Sequence, residues 1–129
     1  MILYIETSAA AKLLVDEPAS SRLATRLDDA LDSDDALLSS ALLETELRRL
    51  AVRVELAQTA VTSLLERFDL VEIDRSLYWE AGLLPGRHLR SLDALHLAAA
   101  LRVSAELMVT YDHRQAEAAA AVGLPVLAP

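Results

Sequence analysis

Glu6, Asp93 and Asp112, with Glu44 or Glu46, are the residues whose type and placement suit chemistry in this chain. Glu6 directly follows an apolar tetrad, Ile2-Leu3-Tyr4-Ile5. Asp112 stands just beyond a second apolar run that ends at Thr110. Asp93 falls in the first turn of a helix expected to be capped by Ser91. Glu44 and Glu46 fall in the first turns of a helix expected to open at Ser39 or Ser40. In a parallel sheet, strand ends and helix starts of this kind collect along one edge, where ligands bind. A carboxylate at a helix start gains ~0.3–1 kcal/mol from the helix dipole, enough to account for Asp93 or Glu44 singly. A converging set needs more. Two carboxylates ~4 Å apart repel by roughly 4 kcal/mol at a surface-like dielectric. Without Lys or Arg between them they require a cation or raised pKa values. All-oxygen donors suit Mg²⁺ or Mn²⁺. Such a site can activate water and steady the leaving oxygen of a phosphodiester.

The elements that must position these acids read as an alternation. Strands are expected at Ile2–Ile5, Ala36–Ser39, Leu70–Ile73, Leu107–Thr110 and Pro125–Leu127. Between them the pattern predicts helices. One is capped by Ser8 and runs to about Val15. One begins near Pro18 and carries Leu23, Leu27 and Leu31. One has a stripe of Leu43, Leu47, Leu50 and Val54. Others span Gln58–Phe68, Ser76–Leu84, Ser91 to about Val103, and Arg114–Val122. Short apolar strands alternating with amphipathic helices imply an α/β fold with a mostly parallel, about five-stranded sheet covered on both faces.

The 129 residues suit one domain spanning 1–129. The chain is 53% hydrophobic and 25% charged, which excludes intrinsic disorder. It has no Cys, so disulfide scaffolds, Cys-zinc sites and thiol chemistry are excluded. No apolar run approaches the ~18 residues of a membrane helix, and no basic region precedes the first apolar stretch, so a cytoplasmic protein is expected. The net charge of −8 argues against a broad basic nucleic-acid face but not against approach to phosphate through bound metal. Lys12 is the only lysine; the other bases are Arg, which suits bidentate phosphate contacts. Asp28, Asp29, Asp32, Asp34 and Asp35 read as a solvated loop, since the run lacks the Gly and terminal Glu of a calcium loop.

Four segments carry a resemblance: Ile-Leu-Tyr-Ile-Glu-Thr-Ser-Ala, Thr-Glu-Leu-Arg-Arg-Leu, Leu-Arg-Ser-Leu-Asp-Ala-Leu-His-Leu-Ala-Ala-Ala and Val-Thr-Tyr-Asp-His-Arg. In order and at the usual length, the chain resembles PIN-domain nucleases, specifically the VapC-type toxins of toxin–antitoxin pairs. The resemblance implies a three-layer PIN fold and a Mg²⁺- or Mn²⁺-dependent endoribonuclease that cleaves structured RNA, such as tRNA or rRNA, by metal-activated water. It assigns the acidic quartet to Glu6, Glu46, Asp93 and Asp112, and the lining of the metal pocket to Ser8 and Thr110. It favours Glu46 over Glu44 through the Glu-Leu-Arg-Arg pattern, leaving Glu44 free to pair with Arg48 at i,i+4. It also implies a homodimer and inhibition by a VapB-type antitoxin. One departure stands out: the family's first acid is normally Asp, and here it is Glu6, one methylene longer.

The remaining polar residues read as follows. His96, one turn after Asp93, is expected in the core, with a supporting or general-base role as the lesser reading. His88 and His113 are expected on the surface, and Tyr4 in packing. Trp79 and Tyr78 are expected to anchor a helix or a dimer surface. Arg87 and Arg90, before Asp93, are the expected RNA contacts. A second function remains open: a catalytically weakened PIN-fold binding module acting through dimerisation and antitoxin complex formation. Receiver domains and haloacid-dehalogenase-type phosphatases do not fit, because Glu6-Thr7-Ser8 replaces their paired acids and no lysine follows the last strand.

Overall fold

A computed structural model describes residues 1–129. The chain runs β1 (Ile2–Ile5), α1 (Thr7–Lys12), α2 (Ser20–Asp32), β2 (Ala36–Ser40), α3 (Leu42–Val54) and α4 (Gln58–Leu65). It continues through β3 (Asp69–Val71), α5 (Arg75–Gly82), α6 (Ser91–Arg102), β4 (Leu107–Val109), α7 (His113–Ala121) and β5 (Val126–Leu127). The strands form one sheet in the order β3-β2-β1-β4-β5. Every pairing is parallel, with Leu3 opposite both Leu37 and Leu107.

The pleat of β1 sends alternate residues to opposite faces. Leu3 and Ile5 enter a core with residues of α1, α2, α3 and α4, including Leu23, Leu27, Leu43 and Leu47. Tyr4 points the other way, into a core with Leu77, Leu97, Met108 and Ala119 from α5, α6, β4 and α7. The result is the three-layer arrangement expected from the strand and helix alternation. No helix is long and apolar enough to cross a membrane.

Chain order sets the position of the site. From β1 the chain moves outward through β2 to β3, then returns to the other side of β1 for β4 and β5. The crevice between the carboxyl ends of β1 and β4 is therefore the topological switch point where such sheets bind ligands. Glu6 follows β1, and Thr110 to Asp112 follow β4.

The structure corrects several local expectations. Ser8 does not cap α1: the extended backbone sits at Glu6, whose side chain accepts from the Ser8 N–H. Ser91 is already the first helical residue of α6, and extended Arg90 precedes it with no side-chain cap. Helix α2 starts at Ser20, after Pro18 has made a turn closed by Ser20 N–H donating to Glu17 O. Asp28, Asp29 and Asp32 lie on α2 rather than in a loop. Leu31 and Val54 are exposed, and Ala30 and Ala51 occupy the buried positions on their helices.

Candidate active site

Glu6 ends β1 and opens α1, so its carboxylate is held from three directions. Oε2 accepts hydrogen bonds from Ser8 N at 3.0 Å, from Thr110 Oγ1 at 2.7 Å and from Ser8 Oγ. Ser8 Oγ in turn accepts from Tyr111 N at 2.8 Å, and Thr110 Oγ1 from Asp112 N at 3.1 Å. The two hydroxyls thus tie the ends of β1 and β4 together through Glu6. The extra methylene of Glu6 lets its carboxylate fold back over the start of its own helix, a capping role usually taken by shorter side chains. Glu6 is 5% exposed, and its Oε1 makes no hydrogen bond.

Asp112 precedes α7 and caps it, with Oδ1 accepting from Arg114 N at 2.9 Å and Gln115 N at 3.1 Å. Gln115 is fully buried and donates from Nε2 to the Asp93 carbonyl at 3.2 Å, fastening α7 to the first turn of α6. The Asp93 carboxylate itself has no hydrogen-bond or ion-pair partner. Burial, with the charges of Asp112, Glu6 and Glu46, pushes its pKa above the ordinary Asp value, and only His96 works against the rise.

Glu46 occupies the inward side of α3. Its Oε1 accepts from Thr7 Oγ1 at 2.8 Å and from His96 Nε2 at 2.6 Å. His96 is 1% exposed, and its Nδ1 lies 2.7 Å from the Tyr4 hydroxyl. Burial holds the Tyr4 pKa above its ordinary value, so the hydroxyl keeps its proton. A hydroxyl that donates to Nδ1 selects the imidazole tautomer with its proton on Nε2, aimed at Glu46. Burial alone would raise the Glu46 pKa, but the His96 hydrogen bond, with that of the Thr7 hydroxyl, brings it below the usual value. Glu44 points to solvent and pairs with Arg48 at 3.0 Å, as its spacing predicts.

The expected residues therefore divide. Glu6, Asp93 and Asp112 share one neighbourhood at the switch point, Glu6 tied to Asp112 through Ser8 and Thr110 and Asp93 to α7 through Gln115, and Glu46 approaches from α3. Arg87 and Arg90 are both exposed on the loop before α6. His88 and His113 are on the surface as expected. His96 is in the core as expected, yet both of its ring nitrogens are engaged. Sequence reasoning missed the Tyr4–His96–Glu46 chain and Thr7. The available signal was His96 one helical turn after Asp93 and Thr7 beside Glu6.

A hard divalent cation suits this donor set. The donors are all carboxylate oxygens, no Lys or Arg pairs with Glu6, Asp93 or Asp112, and Asp93 carries an uncompensated charge. No three His, Asp or Glu side chains close on one point tightly enough to cage an ion by themselves.

The class the fold and site define is a wholly parallel, five-stranded α/β sheet with carboxylates gathered at the β1/β4 switch point. The PIN domain model matches residues 3–121, and the chain belongs to the PIN domain family. Among curated relatives, Ribonuclease VapC35 of Mycobacterium tuberculosis (strain ATCC 25618 / H37Rv) is 42% identical over 99% of this chain and 97% of its own. Ribonuclease VapC46 of the same strain is 38% identical over 98% and 97%. Two solved structures share the fold. VapBC2 from Rickettsia felis, bound to a DNA fragment from its promoter, gives a TM-score of 0.74 at 16% identity, over 99% of this chain and 98% of that one. FitAB bound to an IR36 DNA fragment gives 0.72 at 22% identity, over 98% and 94%.

Proposed function

We propose that this protein is an endoribonuclease toxin of the VapC type, dependent on Mg²⁺ or Mn²⁺ and restrained by a VapB-type antitoxin. The observation that carries the reading is Asp93, whose carboxylate is unpartnered and feels the charges of Asp112, Glu6 and Glu46 with no Lys or Arg among them. Asp93, Asp112 and Glu6 Oε1 are the groups that would hold the ion, with Glu46 beside them. When bound, the ion supplies a polarised water and offsets charge on the departing oxygen. The chain's own residues do the positioning. Ser8 and Thr110 fix Glu6, the α7 cap fixes Asp112, and His96 with Thr7 fixes Glu46. A site this tied loses about 100-fold in rate for a displacement near 1 Å. Structured RNA, such as tRNA or rRNA, is the proposed substrate. The VapBC and FitAB neighbours, solved as complexes on DNA, support an antitoxin partner and a promoter-bound complex here.

The test is cleavage of a pool of structured RNAs by purified, antitoxin-free protein in Mg²⁺ or Mn²⁺, beside EDTA and an Asp93→Asn control. Metal-dependent fragments that drop at least about 100-fold in the variant are expected. Equal fragments from both proteins would defeat the assignment. The second reading, a weakened binding module, rests on Glu6, because one of its two carboxylate oxygens is already taken by three donors. It is favoured if the protein binds metal without cleaving and Glu6→Asp restores cleavage.

A further inference from the structure

The loop at 83–90, between α5 and α6, and the outer side of α7 flank a half-open cavity of about 330 Å³ that none of the four acids lines. Leu89 and Ala118 supply apolar wall, while Arg87, His88 and Arg114 stand around it with Glu117 as its single acid. That volume lies at the small end of the ~300–1,000 Å³ of ligand pockets, suiting one nucleotide unit rather than a large ligand. Neither guanidinium is spent on the fold: the arginines in ion pairs are Arg48, Arg67 and Arg102. Arg114 also lines an adjoining shallow cavity with Tyr111, Asp112 and His113. Because Asp112 Oδ1 accepts the Arg114 backbone N–H at 2.9 Å, the α7 wall of the cavity starts beside one of the four acids. Arg90 does not line it.

This arrangement answers a problem of charge. A chain of net charge −8 repels a polyanion as a whole. At physiological salt that field is screened beyond ~8 Å, so contacts at the surface decide binding. Two free guanidiniums over an apolar wall offer bidentate grip on phosphate and a seat for the attached base.

We propose that this cavity holds the RNA nucleotide next to the scissile phosphate, with its phosphate between Arg87 and Arg114 and its base against Leu89 and Ala118. The proposal rests on the RNA-cleaving reading above. It predicts that Glu117 opposes binding.

The test is fluorescence anisotropy of a labelled single-stranded RNA on the full-length Asp93→Asn protein in Mg²⁺, where cleavage does not interfere. Added Arg87→Ala or Arg114→Ala is expected to weaken binding about tenfold. Each should also reduce the salt dependence of log K by about 0.7. Glu117→Gln is expected to tighten binding, which a merely unfolded variant cannot do. Arg53→Ala, in the last turn of α3, is expected to change nothing. Full affinity and full salt slope in both Arg87→Ala and Arg114→Ala overturn the proposal, as does absence of RNA binding by the Asp93→Asn parent. It is equally overturned if these variants keep RNA but lose an acidic peptide, which would assign the cavity to a protein partner. Arg-dependent RNA binding by a wild-type protein that never cleaves would defeat the catalytic reading and leave the cavity assignment standing.

Discussion

Asp93 and Glu46 respond to the same fold in opposite senses. Asp93 has a folded pKa above its ordinary value, chiefly from burial and then from Asp112 and Glu6. Its contribution to stability is present below the ordinary Asp pKa and lost as pH rises through the raised value. At neutral pH the ionised group is therefore a cost to the metal-free protein. Asp93→Asn is expected to raise the Tm of EDTA-treated protein at pH 7, with the gain fading below about pH 4. Added Mg²⁺ should narrow the gap, because the ion stabilises the wild type more. Scanning fluorimetry across pH decides this; a gain that is the same at every pH contradicts the electrostatic origin. Glu46 has a lowered pKa despite burial, so its contribution is present above the ordinary Glu value and lost as pH falls. That contribution depends on His96, and His96 depends on Tyr4. Tyr4→Phe keeps the buried ring but leaves Nδ1 without its 2.7 Å partner. A loss of about 1–3 kcal/mol in denaturant unfolding is expected. A fall in kcat with KM little changed should accompany it, because Glu46 loses its orientation. Stability and kcat both unchanged would show that the chain does no positioning. The strand ends and helix starts that carry the acids were legible in the sequence because they are local features. The Tyr4–His96–Glu46 chain was not, because its members lie 92 and 50 residues apart and meet only when β1, α3 and α6 pack.

Helices and strands were legible to within a few residues, but their caps and some of their buried faces were not. Capping follows the backbone angles of the residue just outside the helix. Glu6 and Arg90 are extended there, so neighbouring Ser8 and Ser91 are already helical whatever their propensity. The stripes held at Leu23, Leu27, Leu43 and Leu47 and lost only their last members, Leu31 and Val54. Four-residue spacing advances the side chain by about 40° per step around the helix, so Leu31 drifts off the face set by Leu23 while Ala30 returns to it. On α3 the buried line is Leu43, Leu47 and Ala51, and Val54 stands at the end of the helix, in solvent. This line carries Glu46 to the site, since Leu47 is fully buried beside it. Leu47→Ala is expected to cost about 2–5 kcal/mol in denaturant unfolding. A cost below 1 kcal/mol would mean that α3 is not anchored through this position. Both cores share the sheet, so a cavity here should also loosen Glu46 and lower cleavage measured well below the melting range.

At the scale of the whole molecule, large apolar side chains are exposed in several places, and α5 with the start of α6 carries four of them. Tyr78 and Trp79 on α5, Leu83 at its C-terminal cap, and Leu92 in the first turn of α6 are 53%, 67%, 64% and 49% exposed. The two helices pack against each other, so these side chains stand on neighbouring elements. Trp79 was expected to anchor a helix or a dimer surface; at this exposure it anchors nothing within its own chain. Exposed apolar groups collected in this way mark association surfaces. A two-fold pair would cover the surface with its own copy. The expected homodimer is proposed to form here. Trp79 is the single Trp of the chain, so it reports on its own burial. Its emission is expected to shift to shorter wavelength as protein concentration rises through the dimer Kd, in step with the mass from light scattering. Tyr78→Glu, which leaves the reporter in place, is expected to hold the protein monomeric with red-shifted emission at all concentrations. A wild type that stays monomeric at high concentration with fully exposed Trp79 would rule out self-association through this face. A dimer that persists in Tyr78→Glu with Trp79 still exposed would place the interface elsewhere.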